Sequence, residues 1–161
     1  MKYALVALVV LLAGCAWCVD DTYDPAFDIP ATGATTPQEV CRWVDTRVRY
    51  VSDDIHDMLE YWQSPDQTWA WAAGDCEDYA LLVMYLLRRD LGGWPALVLG
   101  HYDDGTTRGG HAWVAYNGRW YEAMTGEDVT GSPWYTLHES VSYGVAMWRS
   151  MNTHKSMLEE E

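Results

Sequence analysis

The chemistry in this sequence starts at Gly74-Asp75-Cys76-Glu77-Asp78-Tyr79-Ala80, where a lone cysteine sits among three carboxylates just ahead of an apolar run with helical spacing. A cysteine in the first turn of a helix meets the positive end of the macrodipole and unpaired backbone N–H groups, and both favour the nucleophilic thiolate. The same N–H groups can receive an oxyanion when a carbonyl is attacked. Glu77 and Asp78 act against this through like charge, although carboxylates in a first turn usually point to solvent. On this stretch alone an inert buried thiol is the commoner outcome. The second part lies in His111-Ala-Trp-Val-Ala-Tyr-Asn-Gly-Arg-Trp-Tyr-Glu-Ala-Met124, two runs joined by Asn117-Gly118, a strong two-residue hairpin signal. A turn there pairs Tyr116 with Arg119, so Trp113 opposes Glu122, His111 opposes Met124, and all four share one side of the ribbon. His111 and Glu122 become diagonal neighbours about 7–8 Å apart at the backbone, within reach of a glutamate side chain. A carboxylate that accepts the imidazole N–H fixes its tautomer and stabilises its charged form, as a thiol's partner base requires. Three residues thus fit three roles: Cys76 as nucleophile, His111 as base and then acid, Glu122 as the group that orients it.

At these residues the sequence resembles the transglutaminase-like cysteine peptidase superfamily. The likeness runs from about Tyr50 to Asp128 and rests on Gly74 to Ala80, on Gly109-Gly110-His111-Ala112-Trp113-Val114, and on Trp120-Tyr121-Glu122 leading into Thr125-Gly126. It implies a papain-like arrangement, with the cysteine at a helix N-terminus facing a histidine and an acid on adjacent strands. It also implies a reaction that cleaves, transfers or deamidates amide bonds, with no cofactor and no metal. Cys76 and His111 take their roles directly. The superfamily's acid is usually an aspartate lying further beyond the tryptophan than Glu122 does, which keeps Glu127 and Asp128 as alternatives. A side-chain donor upstream of the cysteine completes the oxyanion hole in such proteins; Gln63 and Trp62 stand in that region. Hydrolysis through a thioester is expected, with acyl transfer to an amine as the alternative.

These side chains need elements to hold them. Thr36-Pro37-Gln38-Glu39 is a capping box with proline at the first helical position, and Val40, Trp43, Val44, Val48 and Val51 follow at helical spacing. Residues 50–73 read less regularly, with a short helix and a turn at Ser64-Pro65-Asp66. Asp53, Asp54 and Asp57 lack the full oxygen loop of a calcium site and read as a solvated face. The helix after Cys76 presents Ala80, Leu81, Met84, Tyr85, Leu87 and Leu91 on an apolar face and stops at Gly92-Gly93. Pro95 to Tyr102 reads as a buried strand, Asp103 to Gly110 as a loop, and the stretch after Gly131 stays ambiguous. The expectation is an α+β domain, papain/transglutaminase-like, with the catalytic helix packed on a small antiparallel sheet. His56, His101, His138 and His154 have no partner at an interpretable spacing. Trp69 and Trp71 are as readily core as substrate wall.

The 161 residues suffice for one ordinary domain, expected over 36–161. A formal charge of −14 argues against a nucleic-acid partner. Residues 1–14 read as a secretion signal, Lys2 followed by an apolar run too short to span a bilayer. Leu12-Ala13-Gly14-Cys15 resembles the bacterial lipobox, which implies lipid attachment at Cys15, a bacterial membrane as partner and an extracytoplasmic location; residues 15–35 then read as a tether. The Cys15/Cys18 spacing has no second pair to complete a zinc site. Cys18 and Cys41 are left as a candidate disulfide in an oxidising compartment. Two rival readings remain: a non-catalytic peptide- or envelope-binding module that keeps the fold and its aromatic cleft, and a metal or redox site built on the cysteines.

Overall fold

The computed structural model describes residues 23–52 and 61–158, the latter with side chains to residue 152. Cys15, Cys18, Asp53, Asp54, Asp57 and His56 lie outside the described residues, as does the side chain of His154. The order of elements is α1 (Pro37–Asp45), β1 (Arg49–Tyr50), α2 (Pro65–Trp71), β2 (Ala73–Gly74), α3 (Cys76–Leu86), β3 (Ala96–Asp103), β4 (Arg108–Tyr116), β5 (Arg119–Tyr121), β6 (Tyr135–Ser142) and α4 (Tyr143–Leu158). β5-β4-β3-β6 form one antiparallel sheet, while β1 and β2 make a two-residue parallel ladder just ahead of Cys76. The fold class is α+β, as the sequence implies.

α1 starts as its capping box dictates, with the Thr36 hydroxyl accepting from the Glu39 N–H and the Glu39 carboxylate accepting from the Thr36 N–H. It ends at Asp45, so Val48 joins the core from the loop beyond it and Val51 lies outside the helix. Ser64-Pro65-Asp66, read as a turn, instead opens α2, with Ser64 as N-cap and proline in the first turn. α3 departs from the amphipathic pattern: every residue from Glu77 to Leu86 is buried, as suits a helix enclosed on all sides, and a π-helical turn at Leu87–Leu91 carries the chain to Gly92. Around α3 gather Val40, Cys41 and Val44 of α1, Ala146 and Met147 of α4, and Leu97, Ala112, Val114, Tyr121 and Val141 from one face of the sheet. The opposite face holds a second apolar cluster of Val98, Trp113 and Val129, with Ala115, Trp120 and Tyr135 against it.

Asn117 and Gly118 both take positive φ, at 51° and 76°, the geometry of a type I′ hairpin, and the register Tyr116↔Arg119, Ala115↔Trp120, Val114↔Tyr121 follows as expected. Beyond Tyr121 the ladder stops. Glu122 to Thr125 turn away from the strand, held by Gly126 N–H to Glu122 O and Glu122 N–H to Glu127 O, so the anticipated pairing of His111 with Met124 is not formed. Gly109 and Gly110, read as loop, belong to β4. The ambiguous stretch after Gly131 resolves into β6 and α4.

Candidate active site

The turn before Cys76 is closed by reciprocal capping: Asp75 is the N-cap of α3, and its backbone N–H donates to Asp78 Oδ2 at 3.2 Å. Asp78 is fully buried, and its other oxygen accepts the Gln63 N–H at 2.7 Å, so one carboxylate ties the loop before α2 to the first turn of α3. That places Gln63 beside the cysteine's helix. Its side-chain Oε1 is buried without a hydrogen-bond partner among the described residues. Trp62 is half-buried against the core, with the Arg149 guanidinium 5.9 Å from its ring centre.

The carboxylates do not point to solvent as first-turn carboxylates usually do. Glu77 is 8% exposed, and the Cys76 thiol donates to its Oε2 at 3.2 Å. Burial pushes the Cys76 thiol well above its ordinary range, the Glu77 and Asp75 charges and the Glu77 hydrogen bond add to the rise, and the Ala112 backbone N–H opposes it. Burial also raises Glu77, against a hydrogen bond shared with Asp75. The surroundings of Cys76 thus favour the thiol, and the helix terminus alone does not make it a thiolate.

The Ala112 contact fixes where this sulfur lies. In the hairpin the closing pair Tyr116↔Arg119 is hydrogen-bonded, so the N–H groups of Tyr116, Val114 and Ala112 all point to the β5 side of β4. Since β5 ends opposite Val114, the Ala112 N–H emerges at an open strand edge, and it is near enough to Cys76 to lower the thiol's pKa.

His111 projects to the face carrying Trp113, away from α3. Its Nε2 lies 2.6 Å from Glu122 Oε2. Glu122 is 5% exposed; its Oε2 also accepts the Tyr135 hydroxyl at 2.9 Å, and its Oε1 accepts the Met124 N–H at 3.3 Å. Burial alone would raise this carboxyl, but the hydrogen bond and charge of His111, then Tyr135 and Met124, hold it below the ordinary carboxylate range. With Nε2 engaged, Nδ1 is the ring nitrogen left to exchange a proton, and among the described residues no hydrogen bond joins Cys76 to His111. Of the alternative acids, Asp128 pairs with Arg119 and Glu127 is exposed. Aromatic rings wall the imidazole: Trp113 at 6.2 Å, Tyr102 and Tyr135 each at 6.0 Å.

The backbone is similar to that of LapG from Legionella pneumophila. The EGTA-treated LapG structure gives a TM-score of 0.49 at 18% identity over 65% of this chain and 61% of LapG, and a second LapG structure 0.49 at 14% over 77% and 75%. A structure from Cytophaga hutchinsonii, described as a candidate cysteine protease, gives 0.39 at 18% over 66% of this chain and 42% of that one. The chain thus spans less than two thirds of the first of these proteins. No family model matches the sequence, and neither does any curated protein.

Elsewhere, Cys41 is a buried free thiol, its pKa raised to about 12 by burial and then by the Glu122 charge. Trp69 stacks on Trp43 at 5.1 Å, and the more exposed Trp71 lies 6.4 Å from Tyr61. The His101 and His138 rings lie 4.8 Å apart, brought together across strands by a β-bulge in β6 that no spacing rule announces. Among the described residues no three His, Cys, Asp or Glu side chains converge as metal ligands, and no helix is long and apolar enough to cross a membrane. Sequence reasoning missed Tyr135, whose strand it left unassigned, and the burial of Glu77.

Proposed function

We propose that this chain is a cysteine-nucleophile amide hydrolase, a peptidase or amidase, with Cys76, His111 and Glu122 as its reacting set. The observation that carries the reading is the 2.6 Å contact between His111 Nε2 and Glu122 Oε2, on the strand whose Ala112 N–H lowers the Cys76 thiol. In the reaction the thiol passes its proton to His111 Nδ1, and the sulfur attacks the amide carbonyl carbon. The oxyanion gathers at the α3 N-terminus, with Gln63 as side-chain donor once its amide is turned. The C–N bond then breaks as His111 returns the proton to the leaving amine, giving a thioester. Water, deprotonated by His111, attacks that thioester and releases the acid and the free thiol. Glu122 holds the imidazole in the tautomer with hydrogen on Nε2. An amine in place of water would make the enzyme a transferase. The proposal includes export, with lipid at Cys15 anchoring the domain to a bacterial membrane.

The thiol's hydrogen bond to Glu77 favours a second reading, a peptide-binding module whose cysteine never ionises. Iodoacetamide alkylation near neutral pH, followed by mass spectrometry of the Cys76 peptide, separates the two. The hydrolase reading expects Cys76 to react well ahead of Cys41 and to slow at least tenfold in His111→Ala. It also expects turnover of a protein or peptide amide panel to vanish in Cys76→Ala. Equal alkylation of Cys76 with and without His111, together with peptide binding that survives Cys76→Ala, would establish the module instead.

A further inference from the structure

Glu122 Oε2 receives two donors from different directions, His111 from β4 at 2.6 Å and the Tyr135 hydroxyl from β6 at 2.9 Å. β6 stands on the far side of β3 from β4, so the phenol reaches across a whole strand to find this oxygen. Its ring is wedged edge-on against Trp113 at 5.3 Å and against Tyr102 at 5.1 Å, which fixes the hydroxyl's line of approach. Gly100 of β3 leaves room for the Trp113 ring in that cluster. A Cβ there would meet the Thr136 carbonyl and come within 2.6 Å of the Trp113 ring.

We propose that Tyr135 is a positioning residue for the His111–Glu122 pair, its hydroxyl sharing the carboxylate oxygen that holds the imidazole and so limiting how strongly that oxygen grips it. The idea rests on the hydrolase reading for its purpose, since a base that must later give its proton to an amine cannot be bound too firmly as imidazolium. The geometry stands apart from that reading. Two hydrogen bonds to one lone-pair-bearing oxygen compete for its charge, so removing one strengthens the other. Burial, then the charge and hydrogen bond of Glu122, keep the phenol far above its ordinary range, so it stays a donor throughout the working pH. The other groups near the carboxylate are the Met124 N–H from the turn after β5, the Cys41 thiol of α1 and Tyr102 of β3, while the Glu127 charge acts on the Tyr135 phenol. Among the described residues only His111 and Tyr135 meet Oε2.

The measurement is the titration of the His111 ring by NMR in the intact domain, assigned by difference with His111→Gln, beside the pH dependence of Cys76 alkylation by iodoacetamide. Tyr135→Phe deletes only the hydroxyl and should raise the His111 midpoint by about half a pH unit, with the alkylation midpoint moving to lower pH. Tyr102→Phe, which removes a hydroxyl bonded to Asp104 from the same ring cluster, should leave both where they were. Site-specific 3-fluorotyrosine at position 135, a stronger donor, should lower the His111 midpoint, and it decides the matter if the phenylalanine variant does not fold. A His111 midpoint that ignores these changes, or that falls in Tyr135→Phe, overturns the proposal. Because the imidazole is read directly, that failure differs from failure of the hydrolase reading, which shows as an unreactive Cys76 in the parent protein.

Discussion

The most consequential residue near the nucleophile is one that sequence rules place in solvent. Carboxylates in a first turn gain from the helix dipole while hydrated, and for that reason Glu77 gave no sign of facing the thiol. α3 is enclosed on every side, so its second residue has nowhere else to go. Glu77→Gln removes a charge that raises the thiol and weakens the acceptor that holds its proton. The half-point for Cys76 alkylation by iodoacetamide should fall by about one pH unit or more, since a close like charge shifts a partly buried group by that order. An unchanged half-point would mean that burial alone holds the proton. The placing of Cys76 at a helix start and of His111 on a strand was legible because helix-start and hairpin signals are local. That Glu122 comes near His111 was legible because a two-residue turn fixes register close by, although the ladder ends three pairs sooner than extrapolation suggests, before Trp113 could pair with Glu122. Tyr135 was not, since its contact joins residues brought together only by the sheet order.

At the level of elements, β6 shows where patterning fails. Its run Tyr135–Ser142 is exposed from Thr136 to Ser140, passes straight into α4 without Gly or Pro, and is bulged at His138, so neither alternation nor punctuation announces an edge strand. β3 and β4, central and buried, read clearly. The seam between β3 and β6 depends on Gly100, which lies under the Trp113 ring and against the Thr136 carbonyl. Gly100→Ala should cost about 1–3 kcal/mol by overpacking. Denaturant melts would register that loss. Near-UV circular dichroism should fall with it, because Trp113, Tyr102 and Tyr135 are all displaced. A variant with parental stability and spectrum would mean the seam absorbs a methyl group without strain.

For the molecule as a whole, the stretch expected as tether is, from Tyr23 onward, bound to the domain. Asp24 accepts from Arg88 and from the Tyr143 hydroxyl, the Phe27 backbone meets the Tyr85 hydroxyl, Arg89 reaches the carbonyls of Ile29 and Pro30, and Asp90 accepts from both the Thr32 N–H and its hydroxyl. Ile29 is part of the core. Its Asp, Pro, Thr and Gly composition reads as linker because its partners are polar groups of α3's π-helical continuation, which hydropathy does not weigh. Burial opposes ionisation of Asp90, yet Arg89 and Thr32 hold it below the ordinary carboxylate range. Its contribution is therefore present above the unfolded value near pH 4 and is lost as pH falls through the lower folded value. Asp90→Ala should cost about 1–3 kcal/mol at neutral pH, with the gap to the parent narrowing in acid. A gap independent of pH would assign the loss to packing.

Tension delivered through the chain ahead of Tyr23 would be borne first by Asp24 and by the Tyr23 hydroxyl bonded to the Met151 sulfur. Those bonds lead into α4 and the π-helical turn after α3, not into β4. A pull on that chain would be spent before it reached the His111–Glu122 contact.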